Sequence, residues 1–502
     1  MRTAVLLLFF SIASPMVAAP CAQTRAEPVP ITTCTAADPR LASIRAELIG
    51  LVQSGKVPSV SVAVMDSGKT IWEESIGWRD REGKSAATPE TPYLLASMGK
   101  SITATAVMRL VDQHLIELDA PVSRYLGEKK LTVYEGSADA VTVGRLLDMT
   151  AEIPHGGLSF SSAAARARYT QADLVRNRGM VIFAPGSVPM YSNMSVGIVE
   201  EVLASAAKQP YRDFMNERFF APLGMTHSFA GPSREPAALH YTGDGTLLPP
   251  SFDVPESSLS IYASANDLLR YARLHSGSGT GDAFVKPETL RMMETHRSGF
   301  EHAPLAYGIG NIALPDGMYL LSNGRASGAQ STLLLFPAAQ QAVICLVNAT
   351  GGRCDELAFR LMDALRPGFQ RNVEKGIGEY QAWADAPYAD LASLKGEWRG
   401  EIQNAQTKLP VRLLFQDDGD VHVKVGEQPE TLLAISPQEG YFGGTFIANI
   451  PAEEAAGHPH RATLRVRRNG DRLSGYVVSD FSNADGSFSL PSYVWLEKRI
   501  KN

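Results

Sequence analysis

The spacing of apolar positions changes along the chain, and each change predicts a different kind of structure. Over residues 37–53 leucine and isoleucine recur every three or four positions, which predicts an amphipathic helix. Residues 57–65 are rich in valine and predict a strand, and the turn Asp66-Ser67-Gly68 after them predicts a hairpin whose second strand begins at Thr70. Residues 93–113 again have one largely apolar helical face.

The middle and later parts of this region predict helices first and strands afterwards. The clearest helical patterns lie at 119–126, 142–149, 196–207, 211–219 and 266–274. Apolar runs typical of strands follow at 319–322, 332–336 and 342–347, and a helix is predicted at 355–365. Strands at both ends and helices between them predict one antiparallel sheet flanked by helices, with a helical subdomain, over residues 37–366.

The pattern changes once more near the C-terminus. Residues 367–389 are predicted to be a linker. Residues 421–425 and 464–467 alternate between apolar and polar positions, and turn residues separate them from shorter apolar runs at 413–415 and 476–478. Short strands at this spacing predict an antiparallel barrel or sandwich over residues 390–502. The predicted fold class is therefore α/β (α+β), followed by an all-β barrel.

The N-terminus has the pattern of a secretory signal peptide. Arg2 precedes an uncharged apolar run at 4–12 and then small residues, so we predict a signal peptide over 1–22, cleaved within 18–22. The apolar run is shorter than the ~20 residues of a spanning helix, and no later segment predicts a membrane span. Pro20 argues against a lipid anchor at Cys21. A flexible Pro/Thr-rich lead-in is predicted over 23–36, and the protein is expected to be periplasmic or secreted.

Charge and cysteine content limit the kinds of partner and cofactor that the protein is expected to bind. The net charge of −6 is spread along the chain, which argues against a nucleic acid or an anionic membrane as partner. Of the four cysteines, Cys21 lies in the predicted cleavage region. Cys345 and Cys354 either form a bridge, which export would permit, or are two separate small hydrophobic residues. The cysteine count and spacing do not suit a metal site, and no cofactor is expected.

The candidate nucleophile lies in the sequence Ser97-Met98-Gly99-Lys100. Residues three apart share one face of a helix, so the serine hydroxyl and the lysine ammonium can meet. A helix N-terminus also favours a developing anion, which suits acyl transfer. The pattern alone is weak evidence, because Ser205 and Lys208 match it too.

A second motif, Tyr191-Ser192-Asn193, occurs once in the chain. A tyrosine near Lys100 would have its proton affinity lowered by that charge and could act as the base on Ser97. Asn193 offers an amide that can bind both the lysine and a substrate. The alternative is a turn whose tyrosine packs and whose asparagine caps a helix.

With these motifs in this order, the chain resembles the serine β-lactamase/penicillin-binding-protein superfamily, specifically the class C-like group of esterases, D-aminopeptidases and peptidases. The similarity runs over about 58–348. The resemblance implies that Ser97 forms an acyl-enzyme, that Lys100 and Tyr191 share the proton transfers, and that Asn193 orients the substrate. It places the oxyanion hole at the backbone N–H of Ser97 and one N–H near 325. The C-terminal domain resembles the lipocalin-like barrels appended to some family members.

The chain departs from the family in its third motif. The usual Lys-Thr-Gly or His-x-Gly position falls on Ser322-Asn323-Gly324, so the glycine is kept and the cationic or imidazole group is absent. Arg325 either supplies charge to the site or is solvated. His155 and His275 each begin a His-x-Gly sequence, but neither is placed to replace the motif. Glu152 replaces a usual glycine and either reshapes the pocket or faces water.

Three functions remain open from the sequence. The first is an exported serine hydrolase that cleaves an ester or amide of a small molecule or peptide, with Asn193, Ser322, Gly324 and Arg325 as substrate-binding candidates. The second is a β-lactamase or D,D-peptidase, which the missing Lys or His makes harder to support. The third is a weakly catalytic cell-envelope protein that binds peptidoglycan or lipid through its β-domain. The direction of the Arg325 side chain decides between an anionic and a neutral substrate.

Overall fold

The computed structural model describes residues 21–26, 29–186, 189–278, 284–295, 298–300, 303–375, 391–436, 441–452 and 457–499. Most of the predicted signal peptide and most of the predicted linker lie outside these residues. None of the helices in the described residues is long and apolar enough to cross a membrane.

The helices of the described residues lie mainly between two groups of strands. They are α1 (Ala42–Gln53), α2 (Gly99–Asp112), α3 (Ser123–Leu126), α4 (Val143–Leu147), α5 (Ala163–Arg166), α6 (Gln171–Arg178), α7 (Asn193–Ala207), α8 (Tyr211–Phe214), α9 (Glu256–Leu259), α10 (Ala265–Ser276), α11 (Pro287–Thr295) and α12 (Cys354–Leu365).

The strands are β1 (Ala22–Ala26), β2 (Val29–Thr35), β3 (Ser59–Asp66), β4 (Lys69–Asp80), β5 (Ser85–Ala86), β6 (Tyr93–Leu94), β7 (Thr132–Val133), β8 (Gly157–Phe160), β9 (Met180–Val181), β10 (Phe229–Ala230), β11 (Phe252–Val254), β12 (Ile261–Ala263), β13 (Ser298–Phe300), β14 (Ala303–Leu305), β15 (Gly310–Leu314), β16 (Gly317–Ala326), β17 (Ala329–Phe336), β18 (Gln341–Val347), β19 (Gly396–Gln403), β20 (Lys408–Phe415), β21 (Val421–Val425), β22 (Thr431–Leu432), β23 (Ala434–Ile435), β24 (Phe442–Ala448), β25 (His460–Asn469), β26 (Arg472–Asn483) and β27 (Gly486–Lys498).

One large sheet is assembled from both ends of the first region, as the sequence predicts. Its strand order is β1-β2-β4-β3-β18-β17-β16-β15-β14-β13, and the pairs along it are antiparallel. Residues 60–65 pair with 342–347, which joins the early hairpin to the late strands. This sheet brings β16 against the turn that precedes α2.

Helices cover both faces of this sheet. Successive side chains of β3 point alternately into two separate apolar cores. Val62 and Val64 pack on the side of α1 and α12, whereas Ala63 and Met65 pack on the side of α2 and α10. Successive residues of a strand point to opposite faces, so a strand buried on both faces requires apolar or small residues at successive positions, as β3 has.

The lead-in over 23–36 forms two strands, so the prediction of a flexible segment is wrong. β1 and β2 form a hairpin at the edge of the large sheet, where β2 pairs with β4. Val29 and Ile31 are buried in the core on the side of α1, and a disulfide joins Cys21 to Cys34. Burial of this apolar pair and the β-branched residues of β2 favour a strand over the mobility that its Pro/Thr content indicates.

The C-terminal strands form a nearly closed antiparallel barrel, which confirms the predicted β-domain. Their order is β22-β21-β20-β19-β27-β26-β25-β24-β23, and the Thr431 hydroxyl donates to the Ile447 carbonyl across the gap. Large buried side chains, including Trp398, Phe415 and Phe442, fill the interior. β8, from the first region, pairs with β27 and so extends the sheet of this β-domain.

Candidate active site

Ser97 lies in a one-turn 3₁₀ helix, Ala96–Met98, that leads directly into α2. The preceding residue, Ala96, has φ +48, a left-handed conformation that costs energy for a residue with a side chain. The Leu95 N–H donates to the Ile261 carbonyl and anchors the start of the turn. Strained backbone of this kind is concentrated at functional sites, and here it sets the position of the serine at the helix mouth.

Lys100 and Tyr191 meet at the Ser97 hydroxyl, as the motif spacing predicts. Lys100 Nζ donates to Ser97 Oγ at 2.9 Å, and the Tyr191 hydroxyl donates to the same oxygen at 2.8 Å. Lys100 Nζ also lies 4.8 Å from the centre of the Tyr191 ring. The second match to the pattern, Ser205 and Lys208, lies at the C-terminal end of α7, and neither residue lines the cavity at Ser97.

Burial changes which of these groups is the better base. Desolvation lowers the pKa of Lys100 to about 7. Tyr191 is 49% exposed as a residue, yet desolvation of its hydroxyl raises its pKa, and the hydrogen bond with Ser97 offsets only part of that rise. The expected drop in the proton affinity of Tyr191 is therefore wrong, because a lysine that is itself buried does not supply a fixed positive charge. Lys100 is the group that can be neutral near pH 7.

One wall of the site is the end of β16. β15 pairs with β16 only as far as Leu321, so within the described residues 322–326 pair on one side alone, with β17. A Cβ on Gly324 would lie 2.0 Å from the Leu95 carbonyl oxygen and 2.8 Å from the Ser97 nitrogen. The glycine is thus required because β16 packs directly on the backbone of the nucleophile turn. Ser322 Oγ hydrogen-bonds to Ser101 Oγ at 2.7 Å, beneath that turn.

Arg325 does not bring a free positive charge to this wall. Its guanidinium forms an ion pair with Asp355 at 2.6 Å, and its side chain is 69% exposed. The same carboxylate accepts hydrogen bonds from Asn323 and from Thr332. The charge of Arg325 is therefore compensated at the rim, and Ser322, Asn323 and Gly324 are the neutral residues beside it.

The cavity beside Ser97 has a volume of about 370 Å³ and is mainly apolar. Its polar floor is formed by Ser97, Lys100 and Tyr191, and the rest of its lining is Leu147, Met149, Leu305, Ala306, Gly308, Ile309, Gly310, Leu321, Ser322, Asn323, Gly324 and Arg325. A pocket with few polar groups and a predominantly apolar lining suits an uncharged acyl group.

Asn193 and Glu152, which the sequence singles out, are not among the residues that line this cavity. Asn193 is the first residue of α7 and is buried, with no hydrogen-bond partner for its Oδ1 among the described residues. Glu152 is also buried and has φ +56, the backbone conformation that a glycine adopts easily. It does not face water, and its charge is felt by Tyr441 of the β-domain: burial is the main cause that raises the pKa of Tyr441, and Glu152 adds a smaller contribution in the same direction.

The two His-x-Gly histidines have different surroundings. His275 is buried and its Nδ1 lies 2.7 Å from Glu294 Oε1, which accounts for it as a structural pair. The ring centre of His155 lies 5.9 Å from that of Tyr191, with an angle of 21° between the planes. The sequence does not predict this contact, because the two residues are 36 positions apart and no motif joins them.

An antiparallel sheet with helices on both faces, carrying a Ser-x-x-Lys turn opposite a Tyr-x-Asn segment, defines the class of serine β-lactamase-like proteins. The family model described as Beta-lactamase matches residues 44–365, and the chain belongs to this family. Its sequence is 27% identical over 184 residues to Protein flp of Staphylococcus aureus, a match that covers 35% of this chain and 36% of that protein. The chain thus spans about a third of the length of these curated relatives.

Solved structures show that the likeness in fold extends beyond the family match. The octameric penicillin-binding protein homologue from Pyrococcus abyssi superposes with a TM-score of 0.57 at 18% identity, covering 90% of this chain and 100% of that one. A class C β-lactamase superposes with a TM-score of 0.57 at 18% identity, covering 65% of this chain and 96% of that one. The first of these therefore includes much of the region that forms the β-domain.

Proposed function

We propose that this protein is an exported serine hydrolase that cleaves a neutral ester or amide through an acyl-enzyme on Ser97. The observation that carries the proposal is the convergence of Lys100 Nζ and the Tyr191 hydroxyl on one serine oxygen, at 2.9 and 2.8 Å. A hydroxyl becomes an effective nucleophile when a base lies within hydrogen-bond reach.

Acylation begins when neutral Lys100 accepts the proton of the Ser97 hydroxyl. The serine oxygen then bonds to the substrate carbonyl carbon, and the carbonyl oxygen becomes an oxyanion beside the backbone amides of the nucleophile turn and of the 322–326 segment. The oxyanion collapses to re-form the carbonyl and the bond to the leaving group breaks. The proton passes from Lys100, with Tyr191 adjacent, to the departing alkoxide or amine.

Deacylation reverses the roles, with water as the nucleophile. Lys100 accepts a proton from the water, whose oxygen attacks the acyl carbon. The Ser97 oxygen leaves and regains a proton, and the free acid departs. Lys100 serves both steps because its pKa, lowered to about 7 by burial, allows it to gain and lose a proton near neutral pH.

The neutral substrate follows from the charges at the rim. Arg325 is already paired with Asp355, and the 322–324 residues carry no charge. A substrate carboxylate would have to compete with Asp355 for the guanidinium, whereas an uncharged acyl group fits the apolar lining and leaves that ion pair in place. The support for a β-lactam or a peptide with a free C-terminal carboxylate is weaker for the same reason.

The Cys21–Cys34 disulfide supports export to the periplasm or the cell exterior, since such bonds persist mainly in oxidising compartments. It also favours cleavage of the signal peptide before Cys21. A binding role for the β-domain finds no support in its interior, because side chains fill the described barrel.

The test is covalent labelling by a fluorophosphonate, with two serine variants. Ser97→Ala is expected to abolish labelling. Ser205→Ala, at the other Ser-x-x-Lys match, is the control and is expected to label like the unmodified protein. Labelling that persists in Ser97→Ala would refute Ser97 as the nucleophile. A fluorescent penicillin that acylates the protein faster than a neutral ester does would instead favour the β-lactamase or D,D-peptidase alternative.

A further inference from the structure

The position of the Tyr191 hydroxyl depends on contacts that neighbouring residues make with its ring. About half of its side chain is exposed, yet its hydroxyl must stay within hydrogen-bond distance of Ser97 Oγ. One contact comes from Lys100, whose Nζ lies near the ring. A second contact with the ring comes from His155, at a distance and angle typical of offset stacking.

His155 is held beside Tyr191 by the backbone. The Ser192 hydroxyl donates to the Pro154 carbonyl at 2.9 Å, which ties the residue after Tyr191 to the residue before His155. The two side chains therefore start from neighbouring points of two adjacent chain segments.

The β-domain fixes both of these segments from the other side. Just after His155, a Cβ on Gly156 would meet Pro491 at 3.1 Å, and the β8–β27 pairing begins with Gly157 opposite Ser489. Just before Tyr191, Met190 is buried in a cluster with three tyrosines of the β-domain, which are Tyr441, Tyr476 and Tyr493. The catalytic tyrosine is thus flanked by two contacts that depend on the C-terminal strands.

We propose that His155 is a positioning residue: its ring, held in place by the β-domain, packs on the phenol of Tyr191 and keeps the hydroxyl on Ser97. This inference rests on the proposed function, since it gives His155 a role in acylation of Ser97. The electrostatic surroundings agree with a packing role. Burial, Lys100 and Arg465 lower the pKa of His155 to about 4, so the ring is uncharged at neutral pH and does not repel Lys100.

A matched control exists elsewhere in the chain. His240 also stacks on a tyrosine, Tyr262, with ring centres 6.1 Å apart, and burial lowers its pKa to about 4 as well. Like His155, it has a buried ring nitrogen without a hydrogen-bond partner among the described residues. Its partner Tyr262 does not line the cavity at Ser97, whereas Tyr191 does, so His240 separates the loss of an imidazole stacked on a tyrosine from the loss of support for Tyr191.

The experiment measures how the fluorophosphonate labelling rate of the full chain saturates with probe concentration, which separates the binding constant of the probe from the rate of the covalent step. In that step the Ser97 oxygen bonds to phosphorus and fluoride leaves, and its rate stands for acylation in the outcomes that follow. His155→Ala is expected to slow acylation about 10- to 100-fold with a binding constant within about twofold, because small misplacement of a catalytic group costs up to ~10² in rate. His155→Phe, which keeps a ring, is expected to stay within about threefold of the unmodified protein. His240→Ala is expected to acylate at the unmodified rate.

A double-mutant cycle tests whether His155 acts through Tyr191. In a Tyr191→Phe background, His155→Ala is expected to add less than about a twofold further loss. Three results would overturn the proposal: an unchanged acylation rate in His155→Ala, equal losses in His155→Phe and His155→Ala, or a full additional loss in the Tyr191→Phe background. The last two would indicate that an imidazole nitrogen contacts the substrate. Labelling that does not depend on Ser97 would refute the proposed function instead, so the two failures are distinguishable.

Discussion

Replacing Gly324 by alanine tests whether the fit of β16 against the nucleophile turn controls catalysis. The new Cβ would lie 2.0 Å from the Leu95 carbonyl oxygen and 2.9 Å from the Met98 nitrogen, besides its contact with Ser97. These are backbone atoms, so no side chain can rotate away to relieve the overlap. Ordinary contact would be restored only if β16 or the turn moved by about 1 Å, at a cost of roughly 1–3 kcal/mol.

A movement of this size would separate the two backbone segments that face the developing oxyanion. Since a misplacement of about 1 Å can cost ~10² in rate, Gly324→Ala is expected to lower the acylation rate about 100-fold, measured as the fluorophosphonate labelling rate. Gly50→Ala is the matched control, because a Cβ at this position in α1 meets no atom within 4 Å. It is expected to label normally and to be slightly more stable. Equal labelling rates in the two variants would refute the reasoning.

Three other predictions concern the charges of the site. The acylation rate is expected to rise as the pH increases through about 7, because only neutral Lys100 accepts the Ser97 proton. An acylation rate that stays constant across this pH range would exclude Lys100 as the base. Lys100→Met is expected to lose activity but to gain stability, seen as a higher Tm. The folded pKa of about 7 lies below the ordinary lysine value of 10.5, so the wild type loses stability as the pH falls between these values. The stability gained by Lys100→Met at pH 7 should therefore shrink at higher pH. Arg325→Ala is expected to turn over a neutral ester within about threefold of the wild-type rate, since its guanidinium is paired with Asp355 at the rim; a loss above about tenfold would contradict the neutral-substrate assignment.

Local pattern was sufficient to predict the elements whose burial follows a regular period. The apolar run of β3, the face of α2 and the alternating strands of the barrel were all predicted from spacing. The contact of Lys100 and Tyr191 with Ser97 was also predicted, because the Ser-x-x-Lys and Tyr-x-Asn motifs and their order along the chain indicate it. The strands at 22–26 and 29–35 were missed because their stability comes from pairing with β4 and from the Cys21–Cys34 bond, neither of which their composition reveals.

The remaining features depend on contacts between distant parts of the chain. The direction of the Tyr191 pKa shift is set by how deeply its hydroxyl end is enclosed, and the close fit of Gly324 depends on where β16 meets the nucleophile turn. The position of His155 depends on β8 pairing with β27, about 330 residues further along the sequence. No local periodicity contains that information.

The pairing of β8 with β27 also bears on how the protein folds. Leu158 and Phe160 of β8 share one apolar core with Phe488 and Leu490 of β27, so the two regions have a common interior as well as a common sheet. A chain ending before the barrel would expose this apolar surface and leave β8 paired on one side only, with β11, so its other edge would be open to aggregation. The two regions should therefore unfold together in a single cooperative transition. A destabilising substitution in the barrel should then lower activity by reducing the amount of folded protein.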